Sequence, residues 1–345
     1  MFSANFKTSQ SLAEVEEAYT LIRGRIGASS AHGQTNLTFF EAYYGGFSLL
    51  RTSQDYYDLA IAYFEKAAEM NVRYCEPFFD PQGHTRRGVS MDVLMKGLRR
   101  AQVEAEGRLN VGVFPEVWNL GRNGEDADDG EQIKSQWIMC ILRDMSPESA
   151  MEAYNAALPY KDMIVGVGLD SDELDRPPSL FKEVFVRAKA DGFKLTAHCD
   201  FNQKDTHSHI RQVVKLIGAQ RIDHGMNAAD SDDLVEMIKA KDTGMTLCPC
   251  AYIRHTSDGE VFPRIRKLFD VGIKVAIASD DPAYMEDNWV LNNLLMVKDK
   301  CKFSDKDIAQ LQRNAVEMCW ANEGMKQELL REIDDFVVSD GLDKR

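Results

Sequence analysis

The sequence predicts an α/β fold of the TIM (β/α)8-barrel type, and two observations support this prediction. Short apolar runs alternate with longer segments of helical periodicity along most of the 345 residues, as expected for repeated strand–helix units. No Gly-rich phosphate-binding loop follows the first apolar run, which disfavours a dinucleotide-binding sheet. Because 44% of the residues are hydrophobic, the chain can bury a large core, and we predict one barrel domain over residues 1–345.

Seven segments have the composition of strands that are buried on both faces of a parallel sheet. A closed barrel of this type needs about eight strands. Nothing in residues 1–30 resembles a buried strand, so we predict a barrel whose first strand is lacking or deformed. The predicted strands are 72–79, 137–142, 163–169, 193–198, 221–224, 245–248 and 275–278.

Helical periodicity fills most of the remaining chain, and it continues after the last strand as extra C-terminal helices. One segment breaks this rhythm: residues 108–134 are rich in Gly, Asn and acidic residues, which predicts a surface insertion. The predicted helices are 11–28, 37–50, 54–70, 91–106, 147–157, 179–190, 206–217, 229–241, 261–271, 288–298, 304–321 and 323–338.

Charge and composition exclude several classes of function. A net charge of −14 is unfavourable for a protein that binds nucleic acid. No run of 18 apolar residues occurs, so we expect no membrane span. The odd cysteine count of seven lacks metal-finger spacing, and the first residues lack a secretory pattern. We expect an enzyme of small molecules in the cytoplasm, with the nucleus as an alternative, and we leave a homo-oligomeric state open.

Three predicted strands end in side chains of the metal-binding type. His198 ends the strand at 193–198, His224 ends the strand at 221–224, and Asp280 and Asp281 follow the last apolar run. Pro282 cannot continue a ladder of hydrogen bonds, so the strand stops there. The carboxyl ends of parallel strands meet at one mouth of a barrel. Imidazole and carboxylate are ligands of zinc, and the pattern therefore predicts a zinc site at this mouth.

Several longer motifs resemble one known family. The motifs LTAHCD, RIDHGMN, TLCPC and ASDDPAY, in this order, are similar to those of the adenosine/adenine deaminase family of the amidohydrolase superfamily. The earlier stretches YYGGFSLLRTSQDYYDLAIAYFEKA, EPFFDPQGHTRRGV and VGVGLDSDE resemble its adenine deaminase branch in fungi and bacteria most closely. The similarity extends from about residue 37 to about residue 337, interrupted by the insertion.

The resemblance implies a zinc-dependent TIM barrel that hydrolyses the 6-amino group of adenine or adenosine. It implies that His198 and Asp280 bind the zinc ion and that His224 is the base that activates water. It also implies that Asp281 hydrogen-bonds N7 of a small-molecule purine substrate. Ser171 stands where adenosine-specific relatives have a glycine beside the purine.

The sequence departs from the family pattern in two places. The family's first strand carries a His-x-His pair, and no such pair occurs near the start of this chain. The only H-x-H, His207 and His209, begins a predicted helix, and we interpret both as surface histidines. The family also places a glutamate three residues after the strand-five histidine, where this chain has Phe201. Asp200 is the candidate that replaces this acid.

These departures leave three functions open. The first is a zinc-dependent hydrolase of the 6-amino group of adenine or a related purine. The second is a catalytically degenerate protein that binds purines or partners an oligomer. The third is a metal-dependent hydrolase of a different amine or amide. Two acids also have open roles: Asp223 either orients the surroundings of His224 or forms a structural ion pair, and Glu76 is a buried acid without an identified partner.

Overall fold

The strands form a parallel arc. The computed structural model describes residues 39–111, 131–254 and 256–339. The predicted helix at 11–28, the expected loss or deformation of an opening strand and most of the insertion lie outside these ranges. The strands are β1 (Tyr74–Cys75), β2 (Phe78–Phe79), β3 (Asn110–Val111), β4 (Glu131–Gln132), β5 (Lys134–Ser135), β6 (Trp137–Leu142), β7 (Ile164–Asp170), β8 (Lys194–Leu195), β9 (His198–Cys199), β10 (Arg221–His224), β11 (Gly244–Leu247) and β12 (Val275–Ile277).

Two parallel sheets of four strands make the two halves of the barrel, in the orders β2-β6-β7-β8 and β9-β10-β11-β12. The segment from β8 to β9 joins them, since Thr196 N donates to Val167 O on one side and Asp223 N donates to Ala197 O on the other. Each predicted strand lies in this arc, in the predicted order. The parallel strands and their connecting helices agree with the predicted α/β barrel class.

The strands are apolar because both faces of the sheet are buried. All six residues of β6, WIMCIL, are buried, as expected for a parallel strand between outer helices and a filled interior. Outside the arc, the helices Ser53–Glu69 and Met91–Arg108 pack on each other. A Cβ atom at Gly97 would lie 2.5 Å from Ser53 O and from Tyr56 Cβ, so glycine permits this close approach.

Most helices begin and end within a few residues of the predicted bounds. Two were not predicted, Pro81–Thr85 and Pro249–Tyr252, because they are too short to show helical periodicity. No helix of the described residues is both long and apolar enough to cross a membrane. The α-helices are Phe39–Phe47, Ser53–Glu69, Pro81–Thr85, Met91–Arg108, Pro147–Ala157, Lys182–Ala190, Thr206–Gln212, Asp232–Ala240, Pro249–Tyr252, Asp258–Asp270, Val290–Lys300, Asp305–Met318 and Glu323–Ser339.

The segment after the helix Asp305–Met318 packs at the amino-terminal end of the strands. The guanidinium of Arg221, at the start of β10, lies 3.9 Å from the centroid of the Trp320 ring. It donates a hydrogen bond to Glu76 Oε2 over 2.6 Å, and Trp320 N donates to Glu76 Oε1. The buried acid Glu76 thus has a partner, which the sequence did not identify. This network joins the segment between β1 and β2 to the start of β10.

Candidate active site

The carboxyl ends of β9, β10 and β12 bring the predicted site residues together. The rings of His198 and His224 are 4.9 Å apart between centroids, edge to face. His224 Nε2 lies 3.2 Å from Asp200 Oδ1 and 3.8 Å from Asp280 Oδ2. These four residues come from three separate strand ends, so their proximity depends on the parallel arc.

The backbone bends sharply where two of these side chains leave their strands. His224 has φ 65° and Asp280 has φ 58°, in the left-handed region that residues other than glycine seldom adopt. Gly225, which follows, has φ 69°, and its N–H donates to Cys199 O. Such conformations cost on the order of 1 kcal/mol each and persist where the surroundings fix them, often at functional sites.

The donor atoms around His224 suit a divalent metal ion. Ligand atoms of His198, Asp200 and His224 lie within 4.8 Å of one another, as do those of His224, Cys248 and Asp280. His198 Nε2 is 3.9 Å from Asp223 Oδ2, too far for a hydrogen bond, so this ring nitrogen can serve as a ligand. Imidazole, carboxylate and thiol together are the donor set that zinc accepts.

Burial and neighbouring charges shift the pKa values of these groups in different directions. Burial lowers the pKa of His198, and His224 lowers it further, so His198 is held neutral, as a metal ligand must be. Burial also favours the neutral form of His224, but Asp200, Asp280 and Asp223 together outweigh it and raise the pKa. Burial raises the pKa of Asp200. The site thus pairs a basic imidazole with a carboxyl group that readily holds a proton.

Asp223 makes several polar contacts below the site. Its carboxylate accepts hydrogen bonds from the hydroxyls of Thr196 and Thr246 on the neighbouring strands. The nearby His198 and Arg221 outweigh its burial and lower its pKa. The carboxylate is therefore fixed by the neighbouring strands and lies near the imidazole of His198.

Asp200, rather than Phe201, faces the cluster. The chain turns after β9, so the alternation of a strand does not extend to residues 200 and 201. The Phe201 ring contacts Tyr252, with 5.8 Å between centroids, and lies under the guanidinium of Arg264 at 5.6 Å. The backbone N–H of Asp200 donates to Glu173 Oε1 over 2.7 Å, which fixes the turn.

Glu173 belongs to a buried ionic network that the sequence did not reveal. Its carboxylate is 3.3 Å from the guanidinium of Arg143 and 2.9 Å from Nδ1 of His209. The interpretation of His209 as a surface histidine was therefore wrong, because its ring is buried against Glu173. His207 is partly buried and lies 3.0 Å from the carbonyl oxygen of Asn227. Helical spacing alone does not reveal which neighbours a helix packs against.

Tyr252 is a second residue that sequence reasoning missed. Its hydroxyl lies 3.1 Å from Nδ1 of His224, so it fixes the orientation of that ring and leaves Nε2 facing Asp200. The residue is buried at the end of the short helix Pro249–Tyr252. The only sequence signal is Pro249, which directly follows β11 and favours the first turn of a helix.

The two predicted purine-binding residues lie on either side of the barrel mouth. Burial raises the pKa of Asp281, and the adjacent Asp280 raises it further. Ser171, at the end of β7, has φ 73°. Its hydroxyl accepts a hydrogen bond from Tyr44 over 2.6 Å and donates to Asp144 Oδ1 over 3.0 Å. Both residues therefore lie beyond the carboxyl ends of their strands, β12 for Asp281 and β7 for Ser171.

Comparison with known sequences gives one consistent result. The model of the adenosine deaminase family matches residues 27–336. An uncharacterized deaminase of Schizosaccharomyces pombe is 41% identical over 300 residues, which cover 87% of this chain and 82% of the relative. An adenine deaminase of Psychrobacter cryohalolentis is 36% identical over 310 residues, which cover 89% of this chain and 86% of the relative.

Solved structures resemble the fold. An adenine deaminase from Arthrobacter aurescens matches with a TM-score of 0.78 and 28% identity, covering 96% of this chain and 90% of that one. A zinc-bound amidohydrolase from Burkholderia ambifaria matches with a TM-score of 0.77 and 21% identity, covering 99% and 98%. The second likeness bears on the fold alone, and together the two confirm the predicted barrel.

Proposed function

The chain belongs to the adenosine deaminase family and is an aminohydrolase, and we propose that it hydrolyses the 6-amino group of adenine. The products would be hypoxanthine and ammonia. Relatives that are 36% and 34% identical carry the name adenine deaminase. The observation that carries the proposal is the convergence of His198, Asp200, His224 and Asp280 at one barrel mouth.

His198 and Asp280 are the residues that would hold a divalent ion, with zinc favoured by the donor set. A bound zinc ion would make a water molecule more acidic and polarise it for attack on the purine ring. The neutral imidazole of His198 and the carboxylate of Asp280 are suited to such an ion.

The remaining residues of the cluster would move protons. His224 Nε2 would take a proton from the attacking water, while Tyr252 holds the opposite ring nitrogen. Asp200, whose pKa is raised by burial, would deliver a proton to ring nitrogen N1 as water adds to carbon 6. The protonated His224 then gives its proton to the amino group, which leaves as ammonia, and the new hydroxyl on carbon 6 returns a proton to Asp200 as the ring is restored. His224 Nε2 and Asp200 Oδ1 are 3.2 Å apart, so the two groups can act on the same carbon atom and its neighbouring nitrogen.

Asp281 and Ser171 would position the purine. Asp281 holds a proton more readily than an ordinary carboxyl group because it is buried beside Asp280, so it would donate a hydrogen bond to N7. Ser171 would contact the ring from the opposite side, with its hydroxyl oriented by Tyr44 and Asp144. Both contacts would direct carbon 6 of the purine towards the imidazoles.

The experiment that tests this function measures hypoxanthine formation from adenine by purified, zinc-supplemented protein. We expect turnover by the unaltered chain and a loss of about 100-fold or more in kcat for Asp200→Asn, the usual contribution of a general acid. Asp205→Asn is the matched control, since Asp205 is exposed and already has φ 60°. If adenine raises the melting temperature of the zinc-loaded protein without being consumed, the chain is a purine-binding protein instead.

A further inference from the structure

A second polar cluster lies on the other half of the barrel mouth. Asp80 directly follows β2, Cys140 lies within β6, and Asp170 ends β7. Ligand-type atoms of the three lie within 4.8 Å of one another. Asp80 is 5% exposed and Asp170 is 8% exposed, so the two acids are removed from bulk water. The functional assignments made above use neither acid.

Carboxylate oxygens of the two acids lie within 4.8 Å of each other. Two ionised carboxylates repel each other at this separation when they are removed from water, so the pair holds one proton between them. Burial raises the pKa of Asp170, and Asp80 raises it further, which keeps that proton in place. Tyr43 donates a hydrogen bond to Asp80 Oδ2 over 3.0 Å. Among the described residues, no donor reaches the buried oxygen Asp170 Oδ1, so this oxygen can accept a hydrogen bond from a ligand.

A cluster of aromatic rings adjoins the pair through Tyr43. Tyr43 contacts Phe47 and Tyr284, with centroid distances of 4.8 Å and 5.5 Å. Tyr284 follows Asp281 in the short turn Pro282–Tyr284. Asp281 adjoins Asp280, and its charge raises the pKa of Asp170, so it lies near both clusters. A flat heterocycle that contacts Asp281 can therefore extend to the pair.

We propose that Asp80 and Asp170 bind the edge of the purine formed by N9–H and N3, and so select the free base over purines substituted at N9. The inference rests on the proposed function for the orientation of the ring. N9–H donates to the unfilled carboxylate oxygen, and the shared proton is donated to N3. A substituent on N9 removes this donor, leaves a buried acceptor unpaired and places bulk against Tyr43 and Tyr284.

Binding to the unaltered chain tests this directly and does not require turnover. Dissociation constants for adenine, 9-methyladenine and 3-deazaadenine are measured by calorimetry on metal-free protein. We expect 9-methyladenine to bind at least 100-fold more weakly than adenine, and 3-deazaadenine at least tenfold more weakly, because each lacks one of the two partners. Equal affinity for adenine and 9-methyladenine would overturn the inference.

Variants then assign the effect to the pair. Asp80→Asn and Asp170→Asn keep the shape of each side chain but abolish the shared proton. We expect each to lower the preference for adenine over 9-methyladenine at least tenfold. Asp172→Asn is the matched control, because Asp172 is exposed in the same loop, and it should leave the preference unchanged. If folded variants of the pair keep the parental preference for adenine, Asp80 and Asp170 do not select the free base. If a variant fails to fold, the binding constants of the three ligands for the unaltered chain still test the inference.

The two proposals fail differently. Discriminating binding of adenine without hypoxanthine formation, even after addition of zinc, would refute the proposed function and leave the role of the acid pair intact. Turnover of adenine and 9-methyladenine at similar kcat/KM would support deamination and refute selection by the pair.

Discussion

Glu173 connects the candidate acid to the body of the barrel. One carboxylate oxygen accepts the backbone N–H of Asp200, and the other faces His209. Burial alone would raise its pKa, but His209, Arg143 and the backbone contact outweigh burial and lower it. The carboxylate is thus charged and fully partnered, and the position of Asp200 depends on a residue 27 positions earlier in the chain.

Replacing this carboxylate should both destabilise the chain and displace Asp200. For Glu173→Gln we expect unfolding to become easier by about 3 kcal/mol, since the buried Arg143 loses its charged partner. We also expect kcat for adenine to fall by a larger factor than KM changes, because the residues proposed to bind the purine are unaltered in this variant. Urea unfolding and steady-state kinetics provide the measurements, and Glu183→Gln, on an exposed helix face, is the control. A variant as stable as the parent would contradict this role.

Metal content tests the proposed ligands separately from activity. We expect His198→Ala and Asp280→Asn to retain less than about one-fifth of the zinc of the parent after dialysis, because each removes one of few protein ligands. Asn tolerates the positive φ of Asp280. Asp287→Asn, an exposed site with φ 61°, should retain the parental zinc content. Full zinc retention by both ligand variants would place the metal elsewhere.

Among individual residues, the sequence predicted the site residues at strand ends and missed the residues that hydrogen-bond to them. His198, His224 and Asp280 could be found because strand ends converge in any parallel barrel. Glu173, Tyr252 and the true surroundings of His209 depend on which loops pack together, and spacing along the chain does not encode this. The roles proposed for the site residues remain predictions until the variants are measured.

The contact between β7 and the segment after the helix Asp305–Met318 illustrates packing between elements. A Cβ atom added at Gly166 would lie 2.3 Å from Cζ3 of Trp320, closer than real contacts allow. Gly166 is therefore the residue on β7 that permits the indole ring to lie under the barrel beside Arg221.

A methyl group at this position should weaken the whole fold. For Gly166→Ala we expect a loss of about 1–3 kcal/mol in unfolding free energy, the usual effect of overpacking. Gly107→Ala should change stability by less than about 1 kcal/mol in the opposite direction, because nothing lies within 4 Å of its Cβ position and alanine favours helix. Urea unfolding measures both changes, and equal changes in the two variants would contradict the packing argument.

At the scale of elements, the seven predicted apolar runs all contain strands of the arc, but their interruptions and the two-residue strands β3, β4 and β5 were not predicted. The predicted strand 72–79 divides into β1 and β2, because Pro77 between them cannot donate to a neighbouring strand. The predicted strand 193–198 likewise divides into β8 and β9 where it passes from one half of the barrel to the other. Such interruptions reflect the register of neighbouring strands, which composition does not specify.

The stability of the whole molecule should decrease in mild acid, and His84 provides one cause. Burial, together with Arg87 and Arg86, lowers the pKa of His84 to about 3. Its ring stacks on Phe47 with 4.3 Å between centroids. The histidine of an unfolded chain has a pKa of about 6.5, so between pH 6.5 and pH 3 the unfolded chain binds more protons than the folded chain. Stability from the neutral ring is complete above about pH 6.5 and is lost as the pH falls towards about 3.

Removing the titrating group should flatten this dependence. We expect the unfolding free energy of the parent to fall more between pH 6.5 and pH 4 than that of His84→Phe, by on the order of 3 kcal/mol. Phenylalanine keeps an aromatic ring against Phe47. Urea unfolding at several pH values provides the measurement, and parallel curves for the two proteins would show that His84 does not contribute.

For the molecule as a whole, the alternation of strand and helix was sufficient to predict the barrel class. The resemblance of its motifs was sufficient to predict the family. The predicted lack or deformation of the first strand falls outside the described residues and stays a prediction. The pairing of Asp80 with Asp170 was also beyond prediction, since ninety positions separate two acids that meet only after β2 and β7 align beside β6.

The position of Trp320 has a consequence for the order in which the protein matures during translation. The indole that fills the underside of the ring is encoded after every strand of the arc. A nascent chain that has just released β12 from the ribosome therefore exposes Gly166 and Arg221 to water. We therefore expect the surface around Gly166 and Arg221 to stay uncovered until the segment with Trp320 has emerged.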